Sequence, residues 1–192
     1  FIGNSGTASD IYLFNLDTEQ LTNLTKDWFT DDQISWHPDG LSLYFISDRN
    51  NKLTTGITYR PANHSIDQMD IYQLEISSGL IERLTSSSHN ETYPCVSNDG
   101  NLLAFISDES GINNIYIRSL KDDTIRPITN IITGITQLSW NGDDTQLIFT
   151  GFYNRGYDIY TFDNPLQPFE DSIEISPTGW TLKAQKAELL RS

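Results

Sequence analysis

The chain has little cysteine, few basic residues and no long apolar run, and each shortage limits its function. A single cysteine, Cys95, excludes an internal disulfide. Only 12 lysines and arginines face 26 aspartates and glutamates, which gives a net charge of −14. This balance argues against nucleic acid and anionic membrane surfaces, because both attract positive charge. No segment approaches the roughly 18 apolar residues of a transmembrane helix, so we expect no direct membrane insertion.

Motifs that carry catalysis or bind cofactors are also missing from the sequence. There is no Gly-x-Ser-x-Gly elbow and no glycine loop that would hold a phosphate. The three histidines, His37, His64 and His89, have no second ligand at metal-binding spacing. We therefore predict no catalytic residue, no cofactor and no metal site within this chain.

The sequence does contain a repeat. Asp-Ile-Tyr occurs at 10–12, 70–72 and 158–160, with Asn-Ile-Tyr at 114–116, so the tyrosines are 60, 44 and 44 residues apart. Two further sets have steps of 60 and 44, namely Phe45, Phe105 and Phe149, and Trp36, Val96 and Trp140. A period in the low forties, built from short apolar runs and turn residues, is typical of a β-propeller with one four-stranded blade per repeat.

Alternating apolar residues and Asp-Gly turns divide the repeats into strands. We predict an all-β propeller fragment of about three and a half four-stranded blades, with strands near 10–24, 33–84, 93–129 and 135–163. Phe1 occupies a repeat position at the end of a strand, so we expect the chain to begin within a blade.

The repeat pattern stops after Asp163. We predict that residues 1–163 are propeller blades. Residues 164–192 then contain a last outer strand at 173–176 and a linker that leads to a further domain.

The second repeat has a recognisable pattern, which runs Trp36-His37-Pro38-Asp39-Gly40, Tyr44 to Arg49, Asp70-Ile71-Tyr72 and Leu84-Thr85. It resembles the WD40-like repeat of TolB-type propellers, which also builds the propellers of tricorn-like and prolyl-oligopeptidase-like peptidases. The resemblance extends from residue 1 to about residue 163.

Two functions are implied by this resemblance. One is a non-catalytic module for protein or peptide binding, or for scaffolding, in the periplasm or at the cell envelope of a bacterium. The alternative is the substrate-gating propeller of a serine peptidase whose catalytic domain lies outside this chain. The fold itself dictates no chemistry.

An insertion distinguishes the second repeat from the later ones. Between the strand-end phenylalanine and the Asp/Asn-Ile-Tyr unit there are 24 residues in the second repeat and 8 in the third and fourth. The excess falls in residues 50–65, and long loops in compact repeats are often functional. In a propeller the connection from the second to the third strand and the connection between blades emerge on the same face. We therefore expect the insertion to share a face with residues 26–32 and 152–155.

This face would gather the aromatic and charged residues that do not repeat. Aromatic side chains mixed with arginine are typical of interaction hot spots. The Asp31-Asp32 pair is a conceivable ligand for a cation or for a basic group of a partner. The predicted partner-binding residues are Trp28, Phe29, Asp31, Asp32, Tyr59, Arg60, His64, Phe152, Tyr153 and Arg155. For Trp28 and Phe29 a second interpretation stays open, in which they cover the junction between blades.

Overall fold

The predicted all-β architecture is confirmed. The structure, a computed structural model, describes residues 1–4, 6, 8–50, 64–165 and 173–190. These residues form fourteen β-strands and one α-helix, and the strands are arranged in antiparallel sheets. The chain divides into two compact units, Phe1–Val96 and Ser97–Ser192.

The first unit contains the complete blade predicted for the second repeat. Its strands are β1 (Ile2–Asn4), β2 (Ser9–Asn15), β3 (Gln20–Asn23), β4 (Asp31–Trp36), β5 (Ser42–Ser47), β6 (Asp70–Glu75), β7 (Ile81–Arg83) and β8 (Glu91–Val96). The first three form one antiparallel sheet in the order β1-β2-β3, and the next four form the sheet β4-β5-β6-β7. Every residue of β5 is buried. A central strand of this kind is covered on both faces, so its sequence loses the apolar–polar alternation.

The turn between β4 and β5 follows from its Asp-Gly sequence. Gly40 has a φ of +71°, which glycine adopts without steric cost. The Gly40 amide donates to the His37 carbonyl over 3.0 Å, and the Leu41 amide donates to Asp39 Oδ1 over 2.8 Å. The aspartate and the glycine thus each make the contribution that the sequence predicted for this hairpin.

The second unit contains two further antiparallel arrangements and the helix. Its elements are β9 (Leu102–Ser107), β10 (Asn114–Ser119), β11 (Ile125–Pro127), β12 (Ile135–Trp140), β13 (Gln146–Tyr153), β14 (Gly156–Asp163) and α1 (Gly179–Leu189). Strand β10 pairs with β9 and β11, and β13 pairs with β12 and β14.

Paired aromatic rings explain why phenylalanine and tyrosine recur in the repeat. In each repeat a phenylalanine lies beside the tyrosine of the Asp/Asn-Ile-Tyr unit on the neighbouring strand. The ring centroids are 5.7 Å apart in the first pair and 5.8 Å apart in the other three, which are Phe1–Tyr12, Phe45–Tyr72, Phe105–Tyr116 and Phe149–Tyr160. Because such pairs stabilise adjacent strands, both residues recur at the repeat spacing.

The segment after β14 differs from the prediction. Residues 173–176 form no strand, contrary to the expected outer strand. Instead, the Thr178 amide donates to the Ser110 carbonyl over 2.8 Å, and Thr178 Oγ1 caps α1 by accepting from the Thr181 amide at 3.3 Å. Gly111, with a φ of +86°, leaves room for both threonine side chains. No helix in the described part of the chain has the length and apolar character that spanning a membrane requires.

Candidate functional site

Three of the predicted partner-binding residues come together beside β4, but inside the protein. Trp28 is 8% exposed and Phe29 and Asp31 are 0% exposed, and the two aromatic ring centroids are 4.0 Å apart. The expectation that these three side chains form an exposed contact surface is therefore corrected. The second interpretation, in which Trp28 and Phe29 cover the junction between blades, stays a prediction.

Arg49 lies at the centre of this region. It is the second residue after β5, and its side chain is 0% exposed. Its Nη1 donates to Asp27 Oδ2 over 2.5 Å, and its Nη2 donates to the two carboxylate oxygens of Asp31 over 2.5 and 2.6 Å. The guanidinium carbon lies 5.0 Å from the ring centroid of Phe29 and 5.4 Å from that of Phe45, within the range of a cation–π interaction. The basic group predicted for the Asp31 carboxylate is thus supplied by the chain itself.

His64 completes the cluster from the far side of the insertion. Its side chain is 1% exposed, so the expectation that His64 belongs to an exposed contact surface is corrected as well. Its Nε2 lies 3.1 Å from Asp48 Oδ2. The imidazole stands edge-on to Trp28 and Phe29, with centroid distances of 4.5 and 5.5 Å. Asp48 also accepts a hydrogen bond of 2.8 Å from the Thr30 amide. We use the term Arg49 cluster for Asp27, Trp28, Phe29, Asp31, Asp48, Arg49 and His64.

Both sides of the insertion are therefore attached to the fold. On the first side, the Tyr72 hydroxyl donates to the Asn50 carbonyl over 2.6 Å. On the second side, His64 is held within the Arg49 cluster. Residues 51–63 lie outside the described residues, so Tyr59 and Arg60 remain sequence predictions.

Three carboxylates meet next to Arg49. Oxygens of Asp10, Asp27 and Asp31 lie within 4.8 Å of one another. Carboxylate oxygens are also the ligands of hard cations such as Ca²⁺. Here the Arg49 guanidinium contacts two of the three groups, whereas Asp10 accepts from Asn23 Nδ2 at 2.9 Å and from the Asp27 amide at 3.2 Å. The arrangement is an ion-pair cluster in which arginine has the place of the cation.

Burial has the largest effect on the pKa values of Asp27 and Asp31. It raises the pKa of Asp31 to about 6, although Arg49 and Ser47 oppose the shift. Burial also raises the pKa of Asp27 against the opposing effect of Arg49. For Arg49, burial favours the neutral form, but the charges of Asp31 and Asp27 outweigh it and raise the arginine pKa. One positive guanidinium pairs with two buried carboxylates, so the group is net negative when both carboxylates are ionised. Protonation of Asp31 removes this excess negative charge.

Stability should depend on pH through Asp31. Its pKa is about 6 in the folded state, against a reference value of 3.8, so the folded protein binds more protons between these values. The resulting stabilisation is complete below pH 3.8 and is lost as the pH rises through 6. From pH 4 to pH 7 we expect the wild type to lose about 2 kcal/mol of unfolding free energy relative to Asp31→Asn. Urea unfolding across this range measures the difference.

The matched control is Asp32→Asn, since Asp32 is the exposed neighbour on the same strand. We expect the unfolding free energy of this variant to change with pH in the same way as that of the wild type. Parallel curves for the wild type and Asp31→Asn would contradict the assignment of a raised pKa to Asp31.

The other predicted site residues that the structure describes, Asp32, Phe152, Tyr153 and Arg155, are exposed. Asp32 lies on β4 in the first unit. In the second unit, Phe152 is 41% and Tyr153 is 66% exposed at the end of β13, and Arg155 lies in the turn that follows. That these residues share a face with the insertion stays a prediction.

Sequence reasoning missed Asp27, Asp48 and Arg49 as a connected group. The available signal was the tripeptide at the end of β5, which is Ser-Asp-Arg at 47–49 and Ser-Asp-Glu at the matching 107–109. An arginine placed directly after a buried strand must find acidic partners, because an unpaired buried charge is very costly. Asp27 and Asp31 are such partners.

Comparison with other proteins gives the chain two distant relatives. No family model matches it. An uncharacterized protein of Agrobacterium fabrum is 28% identical over 112 residues, which are 58% of this chain and 33% of the relative. An uncharacterized peptidase of Bacillus subtilis, YuxL, is 26% identical over 139 residues, which are 72% of this chain and 20% of the relative. The chain therefore spans a third or less of the length of each.

Solved structures share the fold at low sequence identity. TolB from Acinetobacter baumannii has a TM-score of 0.67 at 20% identity, over 86% of this chain and 38% of that one. A putative TolB from Agrobacterium tumefaciens has a TM-score of 0.66 at 20% identity, over 84% and 55%. A puromycin hydrolase has a TM-score of 0.59 at 13% identity, over 81% and 23%. The predicted TolB-type β-propeller fold is confirmed.

Proposed function

We propose that this TolB-type β-propeller is a non-catalytic module that binds a protein or peptide, or serves as a scaffold, through the insertion in its second repeat. The observation that supports the proposal is the attachment of Asn50 to Tyr72 and of His64 to Asp48, on either side of residues 51–63. Binding loops work best when a rigid framework holds their ends. The Arg49 cluster is such a framework.

Burying charged groups in this way has an energetic cost. Ion pairs taken out of water are seldom more stable than apolar side chains of the same volume. The side chains of Asp27, Asp31, Asp48 and Arg49 are nevertheless all 0% exposed. We infer that the role of the cluster is to position the insertion. Its hydrogen bonds and ion pairs fix directions that apolar packing would fix less precisely.

The same burial favours binding over catalysis. A general acid, base or nucleophile has to reach its substrate. In the Arg49 cluster the titratable groups are enclosed by the rings of Trp28, Phe29 and Phe45 and contact one another. They stabilise the fold and have no access to a substrate.

Location and partner type follow from the resemblance and from charge. We place the protein in the periplasm or at the cell envelope of a bacterium, as the TolB-type repeat implies. The net charge of −14 favours a partner with a basic contact surface, because complementary potentials accelerate and orient association.

A second candidate function is the substrate-gating propeller of a serine peptidase. It is favoured by the relative named as a peptidase in Bacillus subtilis and by the fold shared with a puromycin hydrolase. The sequence of the complete gene distinguishes the two candidate functions. An α/β-hydrolase domain encoded beyond residue 192 would support the peptidase and contradict the non-catalytic module.

Replacing Tyr59 and Arg60 by alanine should weaken partner binding about tenfold or more. An aromatic or arginine anchor commonly contributes about 2 kcal/mol at an interface. A photo-reactive residue at position 56 would capture the partner, and its affinity would then be measured by surface plasmon resonance. The double variant should unfold like the wild type, because a surface loop adds little to the core.

The control is Asn51→Ala with Lys52→Ala, which alters the start of the same insertion without an aromatic anchor. Its affinity should stay within about twofold of the wild type. Undiminished binding by both the Tyr59/Arg60 variant and a deletion of residues 51–63 would remove the insertion as a binding site.

A further inference from the structure

A cavity of about 280 Å³ opens in the first unit, at the end of the second-repeat blade that carries the Asp-Gly turn. The residues that line it are Asp39, Leu41, Ser42, Gln73, Glu75, Leu80 and Glu82. The insertion follows the Ser47 end of β5, whereas the cavity is at the Ser42 end. Along an extended strand these two ends are roughly 17 Å apart. The cavity is therefore separate from the insertion and from the Arg49 cluster.

The register of the strands explains why polar side chains line this cavity. Ser42 lies opposite Glu75 on β6, and Gln73 lies opposite Glu82 on β7. Residues directly opposite each other on neighbouring strands point to the same face of a sheet, as do residues two apart on one strand. These four side chains therefore share one face of the blade. The apolar core that takes the intervening residues contains Ile11, Leu43, Phe45, Tyr72, Leu74 and Ile81.

The charge in the cavity is of one sign. Three of the described lining residues are carboxylates and none is basic. Glu75 accepts from the hydroxyls of Ser78 and Ser77 at 2.6 and 3.0 Å, and both bonds lower the Glu75 pKa. The Leu41 amide donates to Asp39 over 2.8 Å and lowers the pKa of that carboxyl group. Both carboxylates are therefore ionised at neutral pH, and the cavity attracts a cation.

Two acceptor groups in the lining are not used by the fold. Ser42 is only 6% exposed, yet no described residue forms a hydrogen bond with its hydroxyl. A buried hydroxyl without a partner is unusual, because leaving it unpaired is costly. The Glu82 carboxylate on the same face also makes no hydrogen bond or ion pair within the described ranges of the chain. Because both groups can accept, the ligand that suits them donates hydrogen bonds.

The spacing of the carboxylates favours an organic cation over a metal ion. In the part of the chain that the structure describes, the acidic group whose oxygens all lie within 4.8 Å of one another is Asp10, Asp27 and Asp31, and the cavity carboxylates form no such group. A metal ion needs several oxygens at about 2.0–2.6 Å. Leu41 and Leu80, which also line the cavity, are 64% and 63% exposed and offer a hydrocarbon surface. A cation on an aliphatic chain matches both kinds of surface.

We propose that this cavity binds a primary alkylammonium group, with the ammonium among Ser42, Glu75 and Glu82 and the hydrocarbon chain against Leu41 and Leu80. The ammonium carries three N–H donors and no acceptor, so it suits a hydroxyl and carboxylates. Two sources share this chemistry, namely a free aliphatic diamine and the lysine side chain of a protein. The site goes beyond the proposed function, because it does not involve the insertion.

The probe is cadaverine, a diamine with a primary ammonium at each end, titrated into the 192-residue chain with isotope-labelled leucine methyl groups. We expect the methyl signals of Leu41 and Leu80 to shift along one saturation curve. The signal of Leu16, which is 84% exposed outside the cavity, should not move. Ser42→Ala should weaken binding about threefold. It should not lower the free energy of unfolding, because the hydroxyl has no hydrogen bond to lose.

Glu82→Gln should weaken binding about fivefold or more, because it removes a charged acceptor but keeps the shape of the side chain. The matched control is Asp17→Asn, which changes the net charge equally at an exposed position outside the cavity. Its affinity should stay within about twofold of the wild type. Equal affinities of Glu82→Gln and the wild type would overturn the proposal.

A lysine with a blocked amino and carboxyl end distinguishes the two sources. Tighter binding of cadaverine would support a free diamine as the ligand, and tighter binding of the blocked lysine would support a lysine side chain. The absence of saturable shifts with both probes would overturn the proposal. Displacement of cadaverine by an equal concentration of Ca²⁺ would also overturn it, because the cavity would then be a metal site.

Discussion

Replacing Arg49 by methionine should lower the free energy of unfolding by about 3–5 kcal/mol. Methionine fills much of the same space but leaves the carboxylates of Asp27 and Asp31 buried without the guanidinium that contacts both. Removing one partner of a buried ion pair costs far more than the pair contributes, because an uncompensated charge stays in the interior. Equilibrium urea unfolding at pH 7, followed by tryptophan fluorescence, measures the loss.

Two further variants serve as controls for this measurement. Arg49→Lys should lose less, because the ammonium keeps the charge but cannot contact both oxygens of Asp31 as the guanidinium does. Arg126→Met removes an exposed arginine of β11 and should change stability by no more than about 0.5 kcal/mol. Equal losses for Arg49→Met and Arg126→Met would contradict the central position of Arg49.

Replacing Phe29 by alanine should destabilise the protein by about 3–5 kcal/mol, the range for a buried aromatic residue. Phe29 is fully buried, and its ring lies 4.0 Å from that of Trp28 and 5.0 Å from the Arg49 guanidinium. The cavity left behind would disturb both contacts. Thermal and urea unfolding would each report the change.

The control for Phe29 is Tyr153→Ala, since Tyr153 is an aromatic residue from the same sequence prediction that is 66% exposed. It should change stability by about 0.5 kcal/mol or less. A docking residue at position 29 would tolerate alanine and lose only partner binding. If Phe29→Ala were as stable as the wild type, the result would contradict the burial of Phe29 and support its assignment to the contact surface.

The sheets were predictable because their stabilising contacts recur at a fixed spacing. Phenylalanine and tyrosine rings pair in every repeat with centroids 5.7 or 5.8 Å apart. In three repeats the amide of the isoleucine before the tyrosine also donates to a threonine hydroxyl 14 residues later. A contact that every repeat needs leaves the same residue at the same position each time. Period and strand type could thus be inferred without any three-dimensional information.

Burial of the residues outside this pattern could not be inferred in the same way. Trp28 and Phe29 have no counterparts in the other repeats, and aromatic residues beside charges are found both at interfaces and in cores. Their burial depends on Arg49, some 20 residues later, and on His64 beyond the insertion. Contacts between residues so far apart in the sequence do not produce a repeating sequence pattern from which they could be predicted.

In the last repeat the sequence pattern is present, but the burial that accompanies it in the earlier repeats is not. Asp158-Ile159-Tyr160 matches the pattern of the earlier repeats, yet Ile159 is 77% exposed where its counterparts are buried. The repeat pattern specifies the strand, but burial of the strand also requires a neighbouring strand, which this pattern does not specify. The predicted outer strand at 173–176 is not that neighbour, because the residues that follow it bond to Ser110.

The central claim is that the charges beside β4 are neutralised within the protein rather than by a partner. Its most direct test is the unfolding free energy of the triple variant Arg49→Met, Asp27→Asn, Asp31→Asn. We expect this variant to recover most of the stability that Arg49→Met loses, because no uncompensated charge of the three remains buried. A triple variant no more stable than Arg49→Met would show that the carboxylates do not depend on Arg49, and the claim would fail.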